Sequence, residues 1–434
     1  MKFGTLLLAA ASTLVLTACA QREVLLTGER ESIRGEEIAL DLPSESKTIR
    51  LPGVTRNTSW THRHGTPRYR TSHPALGTSP ALAWSADIGA GEGRRARIST
   101  DPVMADGRIF SVDAESNLVA TSTSGARIWS RSLTPAGDDA RDASGGGLAI
   151  SDGMLYVTTG FGRLLAVNAT DGAVQWEQRL GATGNGAPVV FGNLIYFVAG
   201  DDVAWAVNKS NGRIEWKLTS TPSVNNLQVP SAPALSDRFA VFAFGSGEVQ
   251  TAFRRGGVRF WDAGIQGQRI GRALSTVGDI TGDPVIVGST VYVANHSGRI
   301  AALDLESGER KWTTAEGAIG PVWPVGGSLF FVNEQNQLVR LNASDGSHVW
   351  VKGLPDFVKA RPRRQVARYA HYGPVLAGGR LYVASSDDTL RAFDPASGEM
   401  VYSTAIPGGA ASSPIVVDGT LYVVSKKGQL LAFR

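Results

Sequence analysis

Few residues in this chain have the type and spacing to do chemistry. Its six histidines are His62, His64, His73, His296, His348 and His371. A histidine becomes a base or a ligand only when a second group orients it. His296 and His348 fall at or beside turns and read as surface residues. The run His62-Arg63-His64 suggests metal binding, but no further ligand follows at a useful spacing, so a solvated linker is expected there. Asp201-Asp202 and Asp387-Asp388 are expected as turn residues, because no dense oxygen-ligand loop of the Asp-x-Asn-x-Asp-Gly kind surrounds them. There is no Gly-x-Ser-x-Gly elbow, no His-Glu-x-x-His, no Walker loop and no cysteine pair. The sequence therefore predicts no catalytic residue, no metal site and no cofactor.

Cys19 is the only cysteine. It follows a segment with one early positive charge, Lys2, and an apolar stretch over 6–18 that is too short to span a bilayer. The junction Leu16-Thr17-Ala18-Cys19 resembles a bacterial lipobox, in which a peptidase cuts before the cysteine and the thiol is acylated. The alternative is a plain secretory signal. On the first reading residues 1–18 are a signal peptide and Cys19 is the lipidation site. Three acyl chains, as such lipoproteins carry, suffice for stable anchoring. Ala20, in place of an aspartate, favours the outer membrane, with the protein facing the periplasm. Residues 19–79 are polar and weakly patterned, and read as a tether. Ile38-Ala39-Leu40-Asp41-Leu42 and Trp60 are exceptions able to dock on a neighbouring wall.

The rest is one repeated unit. Residues 283–314 read as four short strands rich in β-branched and aromatic residues, joined by Gly, Asn, Asp and Ser turns and closed by Trp312. The same grammar recurs over 101–130, 146–178, 186–218, 231–263, 320–352 and 373–404. Its closing aromatics are Trp129, Trp176, Trp216, Trp261, Trp350 and Tyr402. Four antiparallel strands per ~40–50 residues is the period of a β-propeller blade. The last copy, 412–434, lacks its Trp strand, whereas the strand around Trp84 has no strands before it. Each end lacks what the other holds, so an all-β, eight-bladed β-propeller over 80–434 is expected, closed by an N-terminal strand that completes the C-terminal blade. Closure also removes open sheet edges. The net charge of +4 and pI near 9.2 are only mildly basic, and no aromatic–basic groove motif points to nucleic acid. The variable segments 130–145, 219–230, 264–282 and 353–372 join an outer strand to the next inner strand and must emerge on one face, where repeat proteins place binding surfaces.

The segment Ala302-Leu303-Asp304-Leu305-Glu306-Ser307-Gly308-Glu309-Arg310-Lys311-Trp312 resembles the Ala-x-Asp-x-x-x-Gly-x-x-x-Trp repeat of quinoprotein-like propellers. Together with the lipobox and tether, these blades resemble the BamB family, lipoprotein subunits of the outer-membrane β-barrel assembly machinery. Residues 274–285 are similar to that family's Leu-Ser-Asp-Val-Asp-Thr-Thr-Pro-Val loop. The resemblance implies a non-catalytic scaffold that binds a POTRA domain of a BamA-like central barrel protein through two adjacent loops, with nascent outer-membrane proteins as further partners. It places Asp279 and Thr281, on either side of Ile280, at the family's two Asp positions. Leu227 matches a Leu of the earlier loop, while Asn225 and Gln228 replace its other Leu and its Arg. The readings left beside this one are a lipoprotein propeller for another ligand, such as polysaccharide or peptidoglycan, and a quinoprotein dehydrogenase. The basic run over 359–364 lies on the same face. It reads as a solvated loop or as an attraction for an acidic partner or lipid phosphate.

Overall fold

A computed structural model describes residues 44–68, 73–221, 231–265 and 279–434. Among the described residues, thirty-two strands form eight four-stranded antiparallel sheets. Seven are built from consecutive strands. The first runs through β2 (Val103–Ala105), β3 (Arg108–Val112), β4 (Asn117–Ser122) and β5 (Arg127–Ser132). The eighth combines the chain's two ends: β1 (Leu82–Asp87) pairs with β32 (Gln429–Phe433), with Ser85 opposite Leu431 and Ala86 opposite Leu430. Backbone bonds Ala81 N to Arg434 O, 2.7 Å, and Arg434 N to Ala81 O, 2.9 Å, fasten that seam.

In each blade the first three strands are mostly buried, and the fourth is largely exposed except in blade six, where Val349 and Trp350 are buried. Apolar residues of neighbouring sheets interdigitate, so each junction makes its own core and no single core limits the domain's size. Tight Asp-Gly turns such as Asp152-Gly153, with φ of 51° and 72°, join first to second strands. They match the twist of the strands they connect.

The repeat motif has a mechanical explanation. The closing aromatic of every blade but the sixth lies opposite a small residue of its own third strand, as Trp312 does to Ala302, whereas Trp350 lies opposite Arg340. Each closing Trp then donates its indole N–H to a carbonyl of the next blade. Trp84 donates to Thr123, Trp129 to Ala169, Trp176 to Lys209, Trp216 to Arg254, Trp261 to Leu305, Trp312 to Ala343 and Trp350 to Pro395. Tyr402 ends the circuit through its hydroxyl on Pro80 O. The chain of donors runs once around the ring. The motif's Gly sits under the incoming indole: a Cβ on Gly308 would lie 2.7 Å from Trp261, and the residue has φ of 75°. Asp304 accepts the amides of Glu306 and Ser307 and shapes the turn.

Residues 44–68 and 73–79 do not behave as a linker. They form a strap across the face bearing the first hairpin turns. Trp60 exchanges both backbone bonds with Met104 and is 2% exposed. Asn57 donates to Val416 O, and His73 Nε2 accepts from Gly379 N. Arg340, where other third strands carry a small residue, is buried and donates to Lys47 O at 2.6 Å and to Pro395 O at 3.1 Å. It ties the strap to two blades. The solvated linker expected at 62–64 is corrected by the structure: its polar groups find partners inside the mouth of the ring, which compensates for their burial.

Candidate functional site

The loop face is built around blade four, formed by β14 (Ala234–Leu235), β15 (Phe239–Ala243), β16 (Glu248–Phe253) and β17 (Arg259–Gly264). The loops before and after it leave this blade's two sides, and their described ends are firmly held. At the first, Ser220 Oγ donates to Glu248 Oε2 at 2.7 Å and Gln250 Nε2 donates to Thr219 O at 3.3 Å. Burial works against a charged Glu248, but the bonds from Ser220, Gln250 and Thr221 prevail and keep its pKa below the ordinary value. At the second, Ile265 N donates to Gly247 O at 2.8 Å, and Asn295 Nδ2 donates to Ile265 O at 3.1 Å. Both loops thus spring from rigid bases, which favours a reproducible presentation.

Of the residues expected in the contact, Asn225, Leu227 and Gln228 lie outside the described residues, as does Cys19. Asp279 and Ile280 are each 3% exposed. Ile280 packs with Ile265, Val249, Val291 and Leu303 between blades four and five. The carbonyl of Asp279 faces His296 Nδ1 at 3.4 Å. Thr281 is half-buried and its hydroxyl donates to Ala318 O at 2.9 Å. This corrects the expectation of exposed contact side chains at 279–280. The chain is already turning there into the inner strand β18 (Gly282–Val287), where a side chain faces the neighbouring blade. An arginine at Asp279 would destabilise the fold by burying charge.

A second cluster was missed by sequence reasoning. Arg63, from the strap, enters the central channel. Its Nε lies 3.2 Å from Asp101 and its Nη1 lies 3.3 Å from Asp283. Asp101 precedes the inner strand of blade one and Asp283 belongs to that of blade five, so one guanidinium bridges opposite sides of an eight-bladed ring. His64 Nε2 adds a 2.8 Å contact to Asp283. Ala232 N donates to Asp283 and Ser413 N to Asp101, at 2.6 and 2.7 Å. Burial alone would raise the pKa of Asp283, but Arg63 and His64 bring it down to about 2. For Asp101, burial prevails over Arg63 and its pKa is raised. The pairing joins groups 220 residues apart, and only the strap's register brings them together.

His62 is fully enclosed. Val190 N donates to its Nε2 at 3.0 Å, which leaves Nδ1 to carry the proton and donate to Thr61 Oγ1 at 2.8 Å. A second proton would set N–H against N–H. Burial, helped by His64, lowers its pKa from 6.5 to about 3. Between those values the unfolded chain binds more protons than the folded one. The stability His62 contributes is thus complete above pH 6.5 and falls as pH drops towards 3, by about 1.4 kcal/mol per unit. His62→Gln, whose side-chain oxygen can still accept from Val190, should flatten the slope of urea-unfolding stability between about pH 4 and 6.5. An unchanged slope would assign that titration to other groups.

Eight such blades, with a Trp circuit and a loop face, define a closed β-propeller of the quinoprotein-like repeat class. The chain belongs to the family described as outer membrane protein assembly factor BamB, whose family model matches residues 114–352 and 362–434. The BamB of Yersinia pestis is 25% identical over 368 residues, covering 82% of this chain and 89% of that protein. The BamB of Escherichia coli (strain K12) is 24% identical over 355 residues, covering 81% and 88%. Among solved structures, BamB from Moraxella catarrhalis superposes with a TM-score of 0.68 at 15% identity, covering 82% of this chain and 99% of that one. A quinohemoprotein alcohol dehydrogenase from Comamonas testosteroni gives 0.60 at 15% identity, covering 87% and 81%, and shares the fold.

Proposed function

We propose that this chain is a non-catalytic scaffold subunit of the machinery that assembles β-barrel proteins in the outer membrane. The observation that carries this reading is family membership over most of the ring, together with two neighbouring loops held on rigid bases. The loops at 222–230 and 266–278 would bind a POTRA domain of the central barrel subunit. Val224, Leu227 and Val229 alternate with Asn225, Asn226 and Gln228, a composition suited to apolar anchoring or strand pairing. Thr281, Asp279 and Ile280 would support the second loop from beneath. Cys19 would carry the lipid that anchors the protein to the outer membrane, on the periplasmic side. Nascent outer-membrane proteins would be further ligands of the same face.

Replacing either loop by a Gly-Ser segment of equal length tests this. Each replacement should weaken binding to the isolated POTRA domains more than tenfold, about 1.4 kcal/mol, with melting unchanged. Loop variants that bind like the parent would move the contact elsewhere on the ring.

A further inference from the structure

The junction between blades six and seven carries a hairpin that the assembly role does not use. Phe357 pairs with Arg368, and Val358 N donates to Ala367 O at 3.0 Å. The base is fixed: Arg368 pairs with Asp356, which also accepts from Asn336 at 3.0 Å, and donates to Glu334 O at 2.8 Å. The tip presents Lys359, Arg361, Arg363 and Arg364, all exposed, and no acidic residue lies between 357 and 368. Among the described residues none of these cations has an ion-pair partner at salt-bridge distance. Interleaved with them are exposed apolar side chains: Val366 at 90%, Val358 at 44% and Phe357 at 37%. The family match breaks at 353–361, so part of this hairpin lies outside what the family shares.

A merely solvated loop has no use for a valine that is almost wholly exposed. An acidic protein partner would explain the charges. Cations surrounding bare apolar side chains on a firm base fit a different surface: an interface where headgroup phosphates meet acyl chains. The position agrees. Ser44, where the described strap begins, accepts a bond from Lys352 Nζ at 3.1 Å. Lys352 is the last residue but one of the outer strand β25 (His348–Gly353), four residues before Asp356. The described strap therefore begins against the outer strand that leads into this hairpin.

We infer that the hairpin at 357–368 docks on an anionic phospholipid surface, with Lys359, Arg361, Arg363 and Arg364 on headgroup phosphates and Val358 and Val366 in the interfacial layer. Together with a lipid on Cys19, this hairpin would supply the second of the two signals that make membrane association stable. The inference stands on the hairpin and is independent of the partner loops.

Vesicle flotation of the full chain carrying Cys19→Ser tests it without a contribution from a thiol-borne lipid. The protein should float with phosphatidylcholine vesicles containing phosphatidylglycerol, float poorly with pure phosphatidylcholine, and detach as salt rises. Inorganic phosphate at matched ionic strength should not compete. The combined variant Lys359→Ala, Arg361→Ala, Arg363→Ala, Arg364→Ala should bind at least about tenfold more weakly. Val366→Asp should also weaken binding, with melting unchanged in both. Failure of the parent to float, equal flotation of the variants, or competition by free phosphate would overturn the proposal. A parent that ignores vesicles but loses an acidic protein partner in the charge variant would assign the patch to protein instead.

Discussion

Removing residues 80–88 should collapse the ring's stability. This deletion takes β1 from the eighth sheet, leaving β32 with an unpaired edge, and breaks two links in the aromatic circuit. Trp84 no longer reaches Thr123, and Tyr402 loses Pro80. Trp84 also packs 5.9 Å from Tyr422, ring centre to ring centre. Large-to-small substitution of a packed aromatic costs ~3–5 kcal/mol, a large part of a domain's usual stability of ~5–15 kcal/mol. Trp84→Ala alone should therefore reproduce much of the loss. Thermal unfolding followed by tryptophan fluorescence would show it as a strongly lowered midpoint. A deletion that melts like the parent would mean that the seam contributes nothing and that the ring behaves as an open array.

The second large effect is expected at the channel plug. Arg63→Met leaves Asp283, whose side chain is fully buried, with its strongest counter-charge gone and Asp101 beside it. Removing one member of a buried ion pair typically costs ~3–5 kcal/mol, because the remaining charge stays desolvated. His64, whose Nε2 lies 2.8 Å from Asp283, offsets part of this loss. Adding Asp283→Asn to Arg63→Met should restore part of the stability, a coupling that a double-mutant cycle measures directly. Strictly additive losses would show that the plug is held by strap packing and not by charge.

The blades were legible because their signals are local. Trp312, Gly308, Asp304 and Ala302 lie within one repeat, and each is needed for a contact that recurs at every junction. Closure was legible too, since a lone Trp strand at one end and a sheet lacking one at the other have a single economical solution. The strap was legible only at Trp60, whose docking on a neighbouring wall the sequence anticipates and which pairs with Met104. His62 and Arg63 sit in a polar run without periodicity, and their burial depends on Val190, Asp101 and Asp283, partners distant in sequence. The role of Arg340 is not legible either: nothing adjacent in sequence shows that Lys47 and Pro395 supply the carbonyls that accept its bonds. At the candidate site, the resemblance over 274–285 carries no signal for burial. Asp279 and Ile280 belong to the return leg into the inner strand, where they pack against the neighbouring blade.

The most direct measurement for the account as a whole is affinity isolation of the tagged, full-length chain from detergent-extracted cell envelopes, with its companions identified by mass spectrometry. The account predicts recovery of the central barrel-assembly subunit, and loss of that subunit when the loops at 222–230 and 266–278 are replaced. Isolation of an intact ring without any barrel-assembly component would contradict it.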